Sequence, residues 1–138
     1  MSAKDIYHEH VRNALVKDGW KITHDPLWLK WNRKDAYIDL GAERIIIAEK
    51  AARRIAVEVK SFVSASEMRD LCEAVGQFVL YRRALAKNDP RRELFLAIRE
   101  EVYQRLFTEP DGQELCATEG LKLIVFDEDT QEVVQWIP

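Results

Sequence analysis

The stretch Ile55-Ala56-Val57-Glu58-Val59-Lys60 constrains this chain most, because it sets two opposite charges into a run of β-branched and small apolar residues. Such residues fit the pleated, half-buried surface of a sheet, so Arg54 to Phe62 is expected as a strand. Alternation puts Ala56, Glu58 and Lys60 on one side and Ile55, Val57 and Val59 on the other. The apolar side has a core to face. On the charged side, a carboxylate and an ammonium stand about 7 Å apart along the strand. Burying them is costly unless they are paired, bound to a metal or solvated in a cleft. The strand therefore marks a candidate site as well as a core element.

Two further runs precede it, Ala36 to Leu40 and Arg44 to Glu49, separated by Gly41 and by Ala51-Ala52-Arg53. Three strands in succession predict an antiparallel meander. The first of them carries Asp39, and a meander can set its carboxylate beside that of Glu58. Two neighbouring carboxylates repel each other when dry. A divalent cation resolves the repulsion, and hard oxygen ligands suit magnesium or manganese. Lys60, one pleat beyond Glu58, then reaches a metal-activated water or a phosphate oxygen. Asp35 is a rival for the first acid but follows the polar turn Asn32-Arg33-Lys34, and Glu49-Lys50 lacks the spacing.

The rest of the chain supplies an α/β order. A first helix from Ala3 to Lys17 shows the stripe Ile6, Tyr7, Val11, Ala14 and Leu15. Glu9 lies close to that stripe, as an exposed helix glutamate or a third site acid. Short strands follow at Trp20 to Thr23 and Leu27 to Trp31. A long helix from Ser66 to Ala86 places Gln77 and Tyr81 four residues apart on one face, as site groups or as ordinary packing. The apolar run Glu93 to Ile98, one long helix after the motif strand, predicts a parallel crossover. Short helices at Glu101 to Phe107 and Gly112 to Thr118 lead to a terminal hairpin of Leu121 to Phe126 and Glu132 to Ile137.

At 138 residues the chain reads as one domain over 1–138. No apolar run approaches the roughly 20 residues of a membrane span, and Met1 to Asp5 opens without a signal-peptide core, so a cytoplasmic protein is expected. Cys72 and Cys116 lack metal-site spacing and read as reduced, part-buried thiols. A net charge of −3 argues against strong unaided gripping of duplex DNA. The cations Arg82, Arg83, Lys87, Arg91 and Arg92 cluster near the end of the long helix, as solvated helix-end charges or a phosphate-contacting patch. Trp28, Trp136 and the open edge of the terminal hairpin point to a homodimer or to capture of a partner.

Asp39 followed by Glu58-Val59-Lys60 resembles the Asp…Glu-x-Lys signature of the PD-(D/E)XK nuclease superfamily, and Gln77 to Tyr81 is similar to its RecB-like Gln-x-x-x-Tyr element. More of the chain resembles the XisH family: Lys4 to Glu9, Thr23 to Leu27, Tyr37 to Arg44, Ala56 to Phe62, Ala74 to Phe78 and the ending Val134 to Ile137. The superfamily resemblance implies a restriction-endonuclease-like α/β core with a C-terminal hairpin. It also implies a magnesium or manganese ion held by Asp39, Glu58 and the main-chain carbonyl of Val59, with Glu9 as the additional acid. Lys60 and Gln77 would act on water and phosphate. The family resemblance implies a controlling factor for excision of the fdxN DNA element, acting with a small partner, XisI, and a site-specific recombinase. Two expectations follow: a DNA endonuclease, or a non-catalytic regulatory subunit bridging XisI, recombinase and DNA.

Overall fold

The computed structural model describes residues 6–23, 28–31, 36–39 and 45–138, with the backbone alone at 28–29 and 36–39. In chain order the elements are α1 (His8–Lys17), β1 (Lys21–Thr23), β2 (Trp28–Trp31), β3 (Ala36–Asp39), β4 (Ile45–Lys50) and β5 (Arg53–Val59). They continue with α2 (Glu67–Asn88), β6 (Arg92–Arg99), α3 (Glu100–Leu106), α4 (Pro110–Glu119), β7 (Leu123–Asp127) and β8 (Glu132–Ile137). Six strands form one sheet in the order β1-β4-β5-β6-β7-β8, and β2 and β3 form a separate two-stranded sheet. The central strands β5, β6 and β7 run parallel, while β1, β4 and β8 pair antiparallel with their neighbours.

The alternation read along β5 holds. Ala56 belongs to the core on the α2 side, with Ala74, Phe78 and Leu96. Ile55, Val57 and Val59 belong to the core on the other face, with Val11 and Leu15 of α1. α2 is the crossover between β5 and β6. Ser66 caps it, accepting from the Arg69 amide at 3.1 Å, and Glu67 and Asp70 in the first turn complement the helix dipole. At the other end of the molecule, α4 stops at Gly120, whose φ of +63° suits a residue without Cβ.

The expected three-strand meander does not form. Among the described residues β3, which carries Asp39, pairs only with β2, and β1 takes the outer edge of β4 through Ile22↔Ala48. Trp31↔Ala36 closes the β2–β3 pair across a short connection, a pairing that costs little chain entropy. The motif strand also stops earlier than expected. Phe62 sits at φ +55°, a left-handed conformation costly for a bulky residue, and turns the chain after Lys60 while its ring remains buried.

The aromatic residue Trp136 is not a free docking surface. It packs edge-on to Phe95 at 5.1 Å and lies 5.7 Å from Trp20. The side chain of Trp28 lies outside the described residues. Both cysteines are free thiols, Cys116 half-buried with its pKa raised by burial, but Cys72 is exposed rather than part-buried. Among the described residues, no helix is long and apolar enough to cross a membrane.

Candidate functional site

Glu58 is the most deeply placed acid of the sheet, 1 % exposed, between its register partners Ile45 on β4 and Leu96 on β6. Both neighbours belong to the core under α2, which fixes the face on which the carboxylate lies. Lys60 follows immediately beyond β5, and its amide still donates to the Ala97 carbonyl at 3.2 Å. Its amine is also enclosed, with the side chain 10 % exposed, and it donates to Glu73 Oε2 at 2.9 Å. Glu73, on α2, is half exposed. Its carboxyl pKa is lowered, first by the hydrogen bond from Lys60 and then by the charge of that same amine.

Gln77 lies one turn beyond Glu73 on the same face of α2, and its Oε1 is buried without a hydrogen bond among the described residues. Tyr81 packs on the α2-side core. The structure therefore brings Glu58, Lys60 and the α2 face of Gln77 to one side of the sheet. It adds Glu73, which the sequence reading missed. The signal was present as a second i, i+4 step on α2, Glu73 to Gln77, but only the strand-to-helix packing shows that Lys60 reaches it.

Asp39 ends β3, and β4 begins at Ile45, the register partner of Glu58. Its side chain lies outside the described residues. The hairpin holding it is clamped to the end of α2. Asn88 Oδ1 accepts from the Lys30 amide at 3.2 Å, and Asn88 Nδ2 donates to the Lys30 carbonyl at 3.1 Å and to Ala84 at 2.8 Å.

Glu9 is exposed on α1, in the layer on the other face of the sheet. The start of α1 nevertheless meets the carboxyl ends of the parallel strands. Arg99, at the end of β6, has its guanidinium 4.8 Å from the Tyr7 ring and donates to the Ser61 carbonyl at 2.9 Å. In open α/β sheets, ligands bind in the crevice outside such carboxyl ends.

Among the described residues, no group of three or more His, Cys, Asp or Glu side chains is placed to hold a metal ion. The donors that β5 supplies, the Glu58 carboxylate and the Val59 carbonyl, are hard oxygens that fit magnesium or manganese. Any fuller set depends on Asp39. The cation cluster divides. Arg92 is buried, bonded to Asp89 at 3.0 Å and to the Ile55 carbonyl at 3.1 Å. Arg82 donates to the Glu119 and Gly120 carbonyls at the end of α4. These two arginines are structural, satisfying backbone carbonyls and an acid inside the fold.

The fold and site define a mixed α/β protein with a buried glutamate and an enclosed lysine at the carboxyl end of a central parallel strand, facing a crossover helix. The family model described as XisH protein matches residues 1–134, and the chain belongs to the XisH family. Two solved structures agree. A XisH family protein from Nostoc punctiforme PCC 73102 is 36% identical, with a TM-score of 0.85 over 97% of this chain and 100% of that one. An fdxN element excision controlling factor protein from Anabaena variabilis is 37% identical, with a TM-score of 0.86 over 98% and 100%. A search of curated proteins found no match.

Proposed function

We propose that this chain is a controlling factor for excision of a DNA element and acts on DNA phosphodiesters as a metal-dependent, nuclease-like protein. The description of the Anabaena variabilis relative supports the excision role. The observation that carries the chemical reading is the 1 % exposed carboxylate of Glu58 on the same strand face as an enclosed lysine. A buried acid and an enclosed amine placed together at the end of one strand are more readily explained by a site than by packing.

In this reading Asp39, Glu58 and the Val59 carbonyl would hold magnesium or manganese, while Glu9, exposed on the α1 side of the sheet, is left out of the set. The bound ion supplies Lewis-acid activation of water and charge neutralisation at phosphorus. Lys60 holds a phosphate oxygen through Nζ or exchanges a proton with the attacking water. Its enclosed side chain, 10 % exposed, holds the amine in a narrow range of positions. Gln77 orients the substrate from the α2 side.

Two observations favour a second reading, a non-catalytic subunit, or a homodimer of it, that bridges XisI, a recombinase and DNA. Lys60 already has a carboxylate partner in Glu73, and the chain carries net negative charge. Calorimetric titration with Mn²⁺ and Mg²⁺ separates the two when run beside cleavage of supercoiled, nicked and branched DNA. Wild type is expected to bind metal and cut, and Asp39→Ala and Glu58→Ala to lose both. Lys60→Ala should keep metal binding and lose cutting. Absence of metal heat and of cleavage on every substrate, with excision intact in Glu58→Ala and Lys60→Ala, selects the bridging role.

A further inference from the structure

The ion pair between Lys60 and Glu73 is asymmetric. The lysine side chain is 10 % exposed and the glutamate side chain 50 %. The lysine is also fixed by its backbone on both sides. Its own amide is bonded to Ala97, the next carbonyl accepts from Arg99, and Phe62 follows in its left-handed turn with its ring in the core. Glu73 is held by the backbone of α2, but its side chain projects from the helix surface and is half exposed to water. If the pair opens, the carboxylate moves and the ammonium stays.

An enclosed ammonium that loses its partner needs another anion, because an uncompensated charge in a desolvated place is costly. The exposed carboxylate, by contrast, regains full hydration on leaving. From this asymmetry, and resting on the DNA-directed reading above, we propose that Glu73 is an exchangeable latch: it occupies Lys60 in the free protein and is displaced by a phosphodiester oxygen when DNA binds.

Charge and geometry both suit the exchange. A phosphodiester is a monoanion, so replacing one carboxylate leaves the net charge around Glu58 and Lys60 unchanged. A phosphate oxygen accepts from Nζ in the same manner as Glu73 Oε2 does now. The lowered pKa of Glu73 agrees with a carboxylate that remains ionised, and so competes, across the physiological range. Glu73 thereby sets how selective the site is: an incoming anion must bind Lys60 better than a tethered carboxylate does.

The test uses the full chain in EDTA, so that metal plays no part, with a fluorescein-labelled DNA duplex and, separately, inorganic phosphate as competitor. Glu73→Gln keeps a neutral acceptor for the lysine and removes the competing charge. It is expected to bind duplex about fivefold tighter, the upper end of what an ion pair with one exposed member contributes. The gain should vanish in the Lys60→Met background, and Glu114→Gln on the exposed face of α4 should show none. Competition by millimolar phosphate would mean that the latch admits any phosphate anion; failure to compete would mean that it requires a polymer. An equal gain in the Lys60→Met background, or none at all, overturns the latch. Cleavage by wild type in the separate Mn²⁺ assay, with no gain for Glu73→Gln in EDTA, upholds the nuclease reading alone. A Lys60-dependent gain in EDTA, with no cleavage in that Mn²⁺ assay, upholds the latch and overturns nuclease activity.

Discussion

Arg99 donates from Nη2 to the carbonyl of Ser61 at 2.9 Å, joining the end of β6 to the residue that follows the site lysine. Its guanidinium also lies over the Tyr7 ring and within 3.6 Å of Glu128. The Tyr7 hydroxyl is in turn hydrogen-bonded to Glu128, with its pKa raised chiefly by burial. One nearly buried cation thus ties α1, the β7–β8 turn and the end of β5 together. Arg99→Met removes the bond, the ring contact and the charge while keeping most of the volume. It should lower stability by about 2–3 kcal/mol in urea unfolding. A loss below about 0.5 kcal/mol would show that the three connections are held independently of Arg99.

Asn88 is the corresponding tie for the hairpin that carries Asp39. Its side chain makes two bonds to the backbone of Lys30 and one back to its own helix. Asn88→Ala should cost about 1–2 kcal/mol and speed amide exchange in β2 and β3 while leaving that of β5 and β6 unchanged. In the metal-binding reading it should also weaken Mn²⁺ affinity, because Asp39 loses its fixed approach. Uniform acceleration of exchange throughout the sheet would contradict a local clamp.

Glu93 sets one part of the acid response. Its carboxyl pKa is lowered, first by a hydrogen bond from Lys122 at 2.9 Å and then by one from Arg53 at 2.9 Å. A group whose folded pKa lies below its unfolded value contributes stability that is complete above the ordinary glutamate range. That contribution is lost as pH falls through the folded value. Stability should therefore decline as pH falls below about 5, and Glu93→Gln should flatten that decline while lowering stability at pH 7. Thermal unfolding at stepped pH in moderate salt measures both. An unchanged pH slope in the variant would assign the acid response to other carboxylates.

Gly112 in α4 has no room for a side chain. A Cβ there would overlap the Leu106 carbonyl and approach Phe107 Cα at 2.7 Å, both of them backbone. Gly112→Ala favours the helix by propensity, yet it should destabilise the protein by about 2–3 kcal/mol, because the crowding is against main chain that cannot rotate away. Gly76 on α2 is the internal control, since nothing lies within 4 Å of its Cβ position. Gly76→Ala should stabilise by about 1 kcal/mol. Equal effects of the two substitutions in denaturant titration would contradict the packing of α4 against α3.

The sequence by itself determined the facing of β5, since a two-residue period leaves no choice once Ile55, Val57 and Val59 need a core: Glu58 and Lys60 had to share the other side. The parallel crossover through α2 and the terminal hairpin were legible for the same kind of reason, from local periodicity and connection length. The tertiary structure alone decided which strand lies beside which. Asp39 belongs to a hairpin with β2 and not to a meander with β4, because β1 competes for the β4 edge and sequence proximity favours the β2 pairing. It also decided the partner of Lys60. A helix phase can place Glu73 on a face, but only the packing of α2 over the end of β5 brings its carboxylate to 2.9 Å from the amine. Arg99 was equally unreadable, because its three connections, to Tyr7, Ser61 and Glu128, reach segments far apart in the chain, and contacts of that kind leave no periodic trace in the residues between them.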